Sequence, residues 1–267
     1  MRIFSWKEFF KKLRKRASNR GFGCDVCKAE LFDYPTHRLC EDCRKALEDN
    51  DGHICQKCGR KSVTEGVCLT CKSVLPAFDY GVAPFVYRNS VARQINRMKN
   101  GERRLSYFFG EVMTQTFLQR FPEIKTRFDR GRYALNEENV AEKLLILPVP
   151  LTKDREIERG YNQSQDLCEV IADELNRLGL AVETDENTLV KRRETALQKR
   201  LGLMARKENV SGAYRVSKRK FCQGKTIVLV DDVMTTGTTG SECARVLKNA
   251  GAEKVYFLTT ASLPEIK

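Results

Sequence analysis

Short apolar segments alternate with helical segments in the second half of the chain. Residues 144–150, 227–233 and 254–260 are mainly apolar, as is typical of strands buried on both faces of a parallel sheet. Residues 162–178 carry apolar side chains at helical spacing, and residues 238–250 form a second helical segment that ends in a glycine C-cap signal. Strands that alternate with helices predict an α/β fold in which helices flank a parallel sheet.

The first half of the chain is less regular. Residues 77–87 predict one strand or a pair of short strands, and residues 88–121 predict helices with a break near Asn100-Gly101. We expect the polar segment 122–143 to be an irregular linker or insertion. Residues 1–22 predict a short amphipathic helix with a basic face, which either packs on the rest of the protein or contacts a membrane, nucleic acid or another protein.

Eight of the eleven cysteines form four Cys-x-x-Cys pairs, and these are Cys24/Cys27, Cys40/Cys43, Cys55/Cys58 and Cys68/Cys71. Two such pairs supply the four thiolates of a tetrahedral zinc site. Sequential pairing predicts two structural Zn²⁺ ions, while an interleaved wiring and a redox dithiol role stay open. We expect His37 and His53 to be surface or supporting groups, and the isolated Cys168, Cys222 and Cys243 to be buried apolar residues.

Length and charge narrow the function classes. At roughly 150 residues per domain, 267 residues make one or two domains. The 48 basic and 35 acidic side chains leave a formal charge of +13, which favours phosphates, nucleic acid or acidic membrane as partners. No segment reaches the roughly 18 apolar residues of a transmembrane helix, and Lys7 and Glu8 interrupt the apolar run of a signal peptide. We therefore expect a cytoplasmic protein, with a peripheral position at the inner face of the membrane as the alternative.

The richest chemistry lies in the segment 227–240, IVLVDDVMTTGTTG. A predicted strand ends in two carboxylates, Asp231 and Asp232, and threonines and glycines then lead into a helix. Ligands of open α/β sheets bind at the carboxyl ends of strands, and helix N-termini bind anions. Because carboxylates repel a phosphate, these two suit the hydroxyls of a ribose or a divalent metal. The segment predicts a ribose-phosphate site, against the simpler alternative of a threonine-capped helix beside solvated carboxylates.

Within that segment, VLVDDVMTTGTT resembles the signature of type I phosphoribosyltransferases, which bind phosphoribosyl pyrophosphate. Over about residues 24–262 the chain also resembles the ComF family of competence-associated proteins, which is related to GntX. This wider resemblance rests on the cysteine-rich module, PVPL at 148–151, RGYNQ at 159–163, and the spacing of Gln198, Arg206 and Asn209-Val210 before Gly212-Ala213-Tyr214.

The resemblance implies roles for the motif residues. Asp231 and Asp232 would bind the ribose hydroxyls, and Mg²⁺ would bridge these hydroxyls and the pyrophosphate. The 5′-phosphate would lie on Thr235, Thr236, Gly237, Thr238 and Thr239.

The resemblance also implies a set of cations around the pyrophosphate. The loop after PVPL would supply Lys153, Arg155 and Arg159 as catalytic cations, with Lys99 as a further candidate. A flexible lid over 191–209 would bring Gln198, Lys199 and Arg206 to the site. The acceptor pocket would use Asn162 and Gln163, although helix capping accounts for Asn162 almost as well.

The domains expected on this basis are a basic segment 1–22, a double zinc-ribbon module 23–75, and a type I phosphoribosyltransferase-like domain 76–267, which divides into hood elements 76–121, a variable linker 122–143 and a core 144–262. One expected function is a phosphoribosyltransferase of unassigned acceptor that acts in DNA uptake or DNA utilisation. The other is a non-catalytic adaptor that binds single-stranded DNA and a competence helicase while retaining the ribose-phosphate site. The basic segment favours the second, because it holds eight basic residues against one acidic residue.

Overall fold

The computed structural model describes residues 23–133, 142–192 and 210–265. The chain divides into two compact units, Met1–Ala46 and Leu47–Lys267. This boundary falls between the two groups of cysteines, whereas the sequence placed all eight in a single module. Among the described residues, no helix is both long enough and apolar enough to cross a membrane.

The helices are α1 (Glu41–Lys45), α2 (Leu69–Ser73), α3 (Asn89–Lys99), α4 (Leu105–Arg120), α5 (Glu123–Arg127), α6 (Lys153–Arg159), α7 (Gln163–Arg177), α8 (Arg219–Cys222) and α9 (Thr238–Asn249), with a 3₁₀ turn at Arg130–Tyr133. The strands are β1 (Tyr80–Val82), β2 (Phe85–Val86), β3 (Leu144–Pro148), β4 (Val182–Thr184), β5 (Leu189–Lys191), β6 (Tyr214–Val216), β7 (Thr226–Met234) and β8 (Lys254–Ser262).

The second unit is built on a parallel sheet in the order β1-β8-β7-β3-β4, with β2 also paired to β8. Strand β7 lies between β8 and β3 and is in register with both, for example through Asp231 opposite Thr259. The strands β3, β7 and β8 are almost wholly buried, as their apolar sequences predicted. A separate antiparallel pair joins β5 to β6. The expected α/β fold, a parallel sheet with flanking helices, is confirmed.

The segment 122–143 is more ordered than its polar composition predicted. Its first part forms helix α5 and the 3₁₀ turn, and residues 134–141 lie outside the described residues. Ile124 and Phe128 are both buried. Ile124 lies in α5 and Phe128 directly follows its last residue, so the helix and its C-terminal end both contribute to the core.

The second group of cysteines shares its core with the sheet domain. Cys55, Cys58, Cys68 and Cys71 belong to the same apolar cluster as Phe78, Leu229 and Phe257. At the knuckle, Gly59 has φ +72°, and a Cβ there would lie 2.2 Å from the carbonyl oxygen of Gly81 in β1. Only glycine allows this approach of two backbones. The knuckle is therefore fixed against an edge strand of the sheet.

Candidate functional site

The carboxyl end of β7 carries the two adjacent carboxylates that the sequence singled out. Asp232 is 5% exposed, and Asp231 is half-buried. Because β7 lies inside the sheet, helices on neighbouring connections reach both side chains. The two carboxylates at the end of β7 are therefore wholly or partly buried, and a buried charge is unfavourable unless it is paired or hydrogen-bonded.

Asp232 is compensated by groups from two helices. Lys99 of α3 brings its Nζ to 3.0 Å from Oδ2 of Asp232. Gln163, at the start of α7, donates from Nε2 to the same oxygen at 2.7 Å. Burial lowers the pKa of Lys99, but the charge and hydrogen bond of Asp232 together with the charge of Asp231 outweigh it, and the net shift is upward. Lys99 is therefore a charged partner of Asp232 and not a solvated lysine.

The carboxylate of Asp231 has different hydrogen-bond partners from that of Asp232. Its Oδ1 accepts hydrogen bonds from Ser164 Oγ at 3.1 Å and from the backbone N–H of Asp232 at 2.8 Å. Burial, followed by the adjacent charge of Asp232, raises the pKa of Asp231 to about 7. This carboxyl can therefore change protonation state near neutral pH, when a ligand or a metal ion binds beside it.

The residues after β7 form a loop and the first turn of α9, which we call the phosphate loop (Thr235–Thr239). Gly237 precedes α9 with φ +81°, and no side chain caps the helix. Thr236 Oγ1 and Thr238 Oγ1 lie 3.0 Å apart. Backbone N–H groups at an uncapped helix N-terminus, with hydroxyls beside them, suit a phosphate group.

A cavity of about 180 Å³ opens beside the phosphate loop. Thr236, Gly237 and Thr238 line one side of it, and Val74, Leu75 and Pro76 line the other. The cavity therefore leaves space for a ligand between the phosphate loop and residues 74–76, which follow the second group of cysteines.

The three cations predicted for the pyrophosphate lie on helix α6, where a loop was expected. Lys153 is exposed, whereas Arg155 and Arg159 are half-buried. The helix is explained by acidic residues in its first turn and by Gly160, which follows its last residue with φ +74°. These signals were visible in the sequence. Among the three, Arg159 is tied to the site, since it donates to Gln163 Oε1 at 3.0 Å.

Asn162 and Gln163 have different roles. Asn162 caps α7 by accepting from the backbone N–H of Ser164 at 3.0 Å, and its amide donates to the carbonyl of Val149. Both ends of this buried side chain are therefore engaged in the fold. Gln163 instead links Arg159 to Asp232, which makes a continuous chain of contacts. The lid residues Gln198, Lys199 and Arg206 lie outside the described residues.

Sequence reasoning missed Ser164 and underrated Lys99. Nothing in the sequence singles out Ser164, because only the packing of α7 against β7 brings it to Asp231. A signal for Lys99 did exist. It continues the i, i+4 series of Val91 and Ile95, both fully buried, so a lysine stands in an apolar stripe of α3.

The cysteines form two groups along the chain in the sequential arrangement. Cys24, Cys27, Cys40 and Cys43 make one group, and Cys55, Cys58, Cys68 and Cys71 make the other, with all sulfur atoms of a group within 4.8 Å of one another. A tetrahedral Zn²⁺ site with Zn–S of about 2.3 Å has an S–S edge of about 3.8 Å. The Sγ atoms of Cys27 and Cys40, and those of Cys58 and Cys68, lie 3.7 Å apart. Both groups therefore fit a structural zinc ion.

The two groups differ in their surroundings. All four cysteines of the second group are buried, whereas Cys27 is exposed, and Cys40 and Cys43 are half-buried. The isolated Cys168, Cys222 and Cys243 are buried, as expected. Both histidines are exposed beside acidic residues, since His37 contacts Asp33 and His53 lies 3.9 Å from Glu65.

Several known proteins are similar to this chain. Residues 139–265 match the family described as phosphoribosyl transferase domain. Competence protein ComFC of Bacillus subtilis is 26% identical over 240 residues, which cover 86% of each chain. Competence protein F of Haemophilus influenzae is 28% identical over 88% of this chain and 94% of that protein. DNA utilization protein YhgH of Salmonella typhi is 41% identical over 110 residues, which cover 41% of this chain and only 45% of that protein.

Among solved structures, a hypoxanthine phosphoribosyl transferase of Trypanosoma cruzi aligns with 61% of this chain and 76% of its own, at 10% identity and a TM-score of 0.36. A TM-score of this size supports no conclusion about the fold or the function of this chain. The matches that span most of the chain, together with the two cysteine groups and the motif at the end of β7, show that the protein is similar to the ComF competence proteins over most of its length and contains a phosphoribosyl transferase domain.

Proposed function

We propose that this protein binds phosphoribosyl pyrophosphate at the end of β7 and transfers its phosphoribosyl group to an acceptor. One observation carries the proposal, namely that two carboxylates held by hydrogen bonds stand a few residues before an uncapped helix N-terminus. A ribose 5-phosphate presents hydroxyls and a phosphate a few ångströms apart. The carboxylates accept hydrogen bonds from the hydroxyls, and the N–H groups donate to the phosphate.

The residues around the site support departure of the pyrophosphate. Negative charge builds up on this leaving group, so fixed cations lower the barrier by stabilising it. Arg159 is oriented by Gln163, and Lys153 and Arg155 lie on the same helix. Asp231 and Asp232 offer the oxygen ligands that Mg²⁺ prefers, and a Mg²⁺ ion held there would supply further positive charge to stabilise the leaving group.

The acceptor stays open in this proposal. A base that removes a proton from the acceptor is not identified among the described residues. The carboxyl of Asp231, whose pKa is raised to about 7, is engaged by Ser164 and lies where the ribose hydroxyls would bind. An acceptor that is already a good nucleophile fits such a site.

The printed names of the relatives supply the cellular context. ComFC and competence protein F are named for competence, and YhgH is named for DNA utilisation. We place this protein in the same context, in the cytoplasm.

Calorimetry tests the proposal most directly. Phosphoribosyl pyrophosphate with Mg²⁺ should bind the full chain, and the double variant Asp231→Asn/Asp232→Asn should lose at least tenfold in affinity. The control is Asp129→Asn, which neutralises an exposed carboxylate and should bind as the parent does. Pyrophosphate release in the presence of a panel of nucleobases then tests turnover. Binding by the double variant with unchanged affinity would show that the site is wrong.

As a second candidate function, the protein is an adaptor that binds single-stranded DNA and a competence helicase. The observation that favours it is the concentration of basic residues in 1–22, a segment outside the described residues. Phosphate contacts of this kind weaken steeply with salt. DNA binding titrated from low to physiological salt, with and without residues 1–22, should show a slope that falls on deletion. A flat slope in the full chain would remove this candidate.

A further inference from the structure

A buried arginine lies between the second cysteine group and the phosphate loop. Arg60 is only 5% exposed. Its Nε donates to the Sγ of Cys58 at 3.2 Å, and its Nη2 donates to the carbonyl oxygen of Thr235 at 3.1 Å. Residues 175 positions apart in the sequence are thus joined through one side chain. One end of the guanidinium contacts a metal-ligand sulfur, and the other contacts the first residue of the phosphate loop.

The backbone on both sides of Arg60 is fixed. The preceding Gly59 packs against Gly81 so closely that a Cβ on either residue would overlap the opposing backbone. The backbone N–H of Gly81 also donates to the carbonyl of Lys57 at 2.8 Å. Because β1 pairs with β8 and β8 pairs with β7, the knuckle that presents Arg60 and the strand that leads to Thr235 belong to one rigid sheet.

The charge around Arg60 depends on whether the second group of cysteines holds a metal ion. Four thiolates around a divalent ion carry a net charge of about −2, which balances a buried guanidinium. The position of Arg60 is therefore linked to metal loading, and Thr235 takes part in the same linkage.

From this geometry we infer that Arg60 is a positioning residue through which a metal ion at Cys55, Cys58, Cys68 and Cys71 holds the phosphate loop in its anion-binding conformation. The inference deepens the proposed function and rests on it, because the loop is the proposed site of the 5′-phosphate. The second cysteine group would then act on ligand affinity as well as on folding. Thermodynamic linkage makes the effect mutual, so that a ligand on the loop also alters the metal centre.

A matched pair of variants tests this. Arg120 also contacts the second group, since its Nη2 donates to the carbonyls of Cys55 and Gln56, and both of these acceptors lie outside the phosphate loop. Arg60→Gln and Arg120→Gln should both retain zinc by elemental analysis. Only Arg60→Gln should show faster hydrogen exchange at the backbone amides of residues 235–240 in the ligand-free protein. Its affinity for phosphoribosyl pyrophosphate with Mg²⁺ should fall about 5- to 150-fold, the range typical of coupling between two binding sites.

Arg60→Lys separates charge from geometry. An ammonium keeps the charge but cannot bridge two acceptors as a planar guanidinium does. We therefore expect the backbone amides of residues 235–240 to exchange as fast in Arg60→Lys as in Arg60→Gln. Exchange and affinity in Arg60→Gln that equal those of Arg120→Gln would overturn the inference.

Cobalt substitution of the parent protein gives an independent readout, which holds even if Arg60→Gln folds poorly. Phosphoribosyl pyrophosphate should shift the thiolate–cobalt absorption of the parent chain, whereas an unchanged spectrum at saturating ligand, with binding seen by calorimetry, would contradict the coupling. If the parent chain binds no phosphoribosyl pyrophosphate at all, the proposed function fails. The hydrogen-exchange comparison of the two arginine variants still decides whether Arg60 holds the loop.

Discussion

The Nζ of Lys99 lies 3.0 Å from Oδ2 of Asp232, and this ion pair joins helix α3 to the carboxyl end of β7. The side chains of the pair are 22% and 8% exposed, so water screens them little. Asp232 is the residue proposed to bind a ribose hydroxyl. A ligand must therefore share this carboxylate with Lys99 or displace it, and α3 is expected to respond to binding.

Removing the cation should destabilise the fold through the carboxylate left behind. Lys99→Met keeps the apolar stem, and we expect a loss of about 2 kcal/mol in the free energy of unfolding, because Asp232 stays buried with Gln163 as its remaining side-chain partner among the described residues. Adding Asp232→Asn should recover part of that loss. A double-mutant cycle in urea should give a coupling of about 1–3 kcal/mol. Additive effects would contradict the pairing, and Lys220→Met, at an exposed position, serves as the control.

Asp231 should make stability depend on pH. Its folded-state pKa of about 7 lies above the ordinary value, because of burial and the charge of Asp232. The folded protein therefore holds the proton more tightly than the unfolded chain, and stability falls as pH rises from about 4 to about 7. Without added divalent metal, Asp231→Asn should become more stable relative to the parent as pH rises. The difference in their free energies of unfolding should grow by on the order of 2 kcal/mol between about pH 5 and about pH 7.5. Chemical denaturation at both pH values measures the difference, and a gap that stays constant would show that Asp231 has an ordinary pKa.

The knuckle at Gly59 offers a matched pair of glycine substitutions. Gly59 and Gly52 have nearly the same φ, +72° and +74°, but a Cβ at Gly59 would meet backbone atoms within 4 Å, whereas a Cβ at Gly52 would point into open space. Gly52→Ala should cost only the strain of its positive φ, about 1 kcal/mol. Gly59→Ala should cost at least about 2 kcal/mol more, because the sheet and the knuckle must separate. Urea denaturation of both variants checks this, and equal losses would contradict the close approach.

Zinc should leave the two cysteine groups at different rates. Elemental analysis should give about two Zn²⁺ per chain, one for each group of four cysteines. A chromogenic chelator should then remove one ion quickly from the group that contains the exposed Cys27, and the other slowly from the buried second group. Cys27→Ser should abolish the fast phase and leave the slow one. A single phase would contradict the difference between the two groups, and zinc near zero in protein prepared without oxygen would favour the redox alternative.

Much of the fold followed from local pattern. The apolar runs at 144–150, 227–233 and 254–260 became β3, β7 and β8 because a strand buried on both faces needs an unbroken apolar sequence. The break at Asn100-Gly101 separated α3 from α4 because glycine there has φ +106°. Helix α6 was missed although its capping signals were present, since a cationic loop was expected after PVPL.

The sequence by itself determined the chemistry of the protein: four Cys-x-x-Cys pairs, two carboxylates at a strand end, and a glycine–threonine turn before a helix. Residue type and short spacing decide these features, so they can be read locally. Only the tertiary structure decided which groups meet, such as Lys99 with Asp232, Ser164 with Asp231, and Arg60 with both Cys58 and Thr235. Most of these contacts join residues far apart in the chain. They depend on strand order, register and helix packing, which no local pattern specifies.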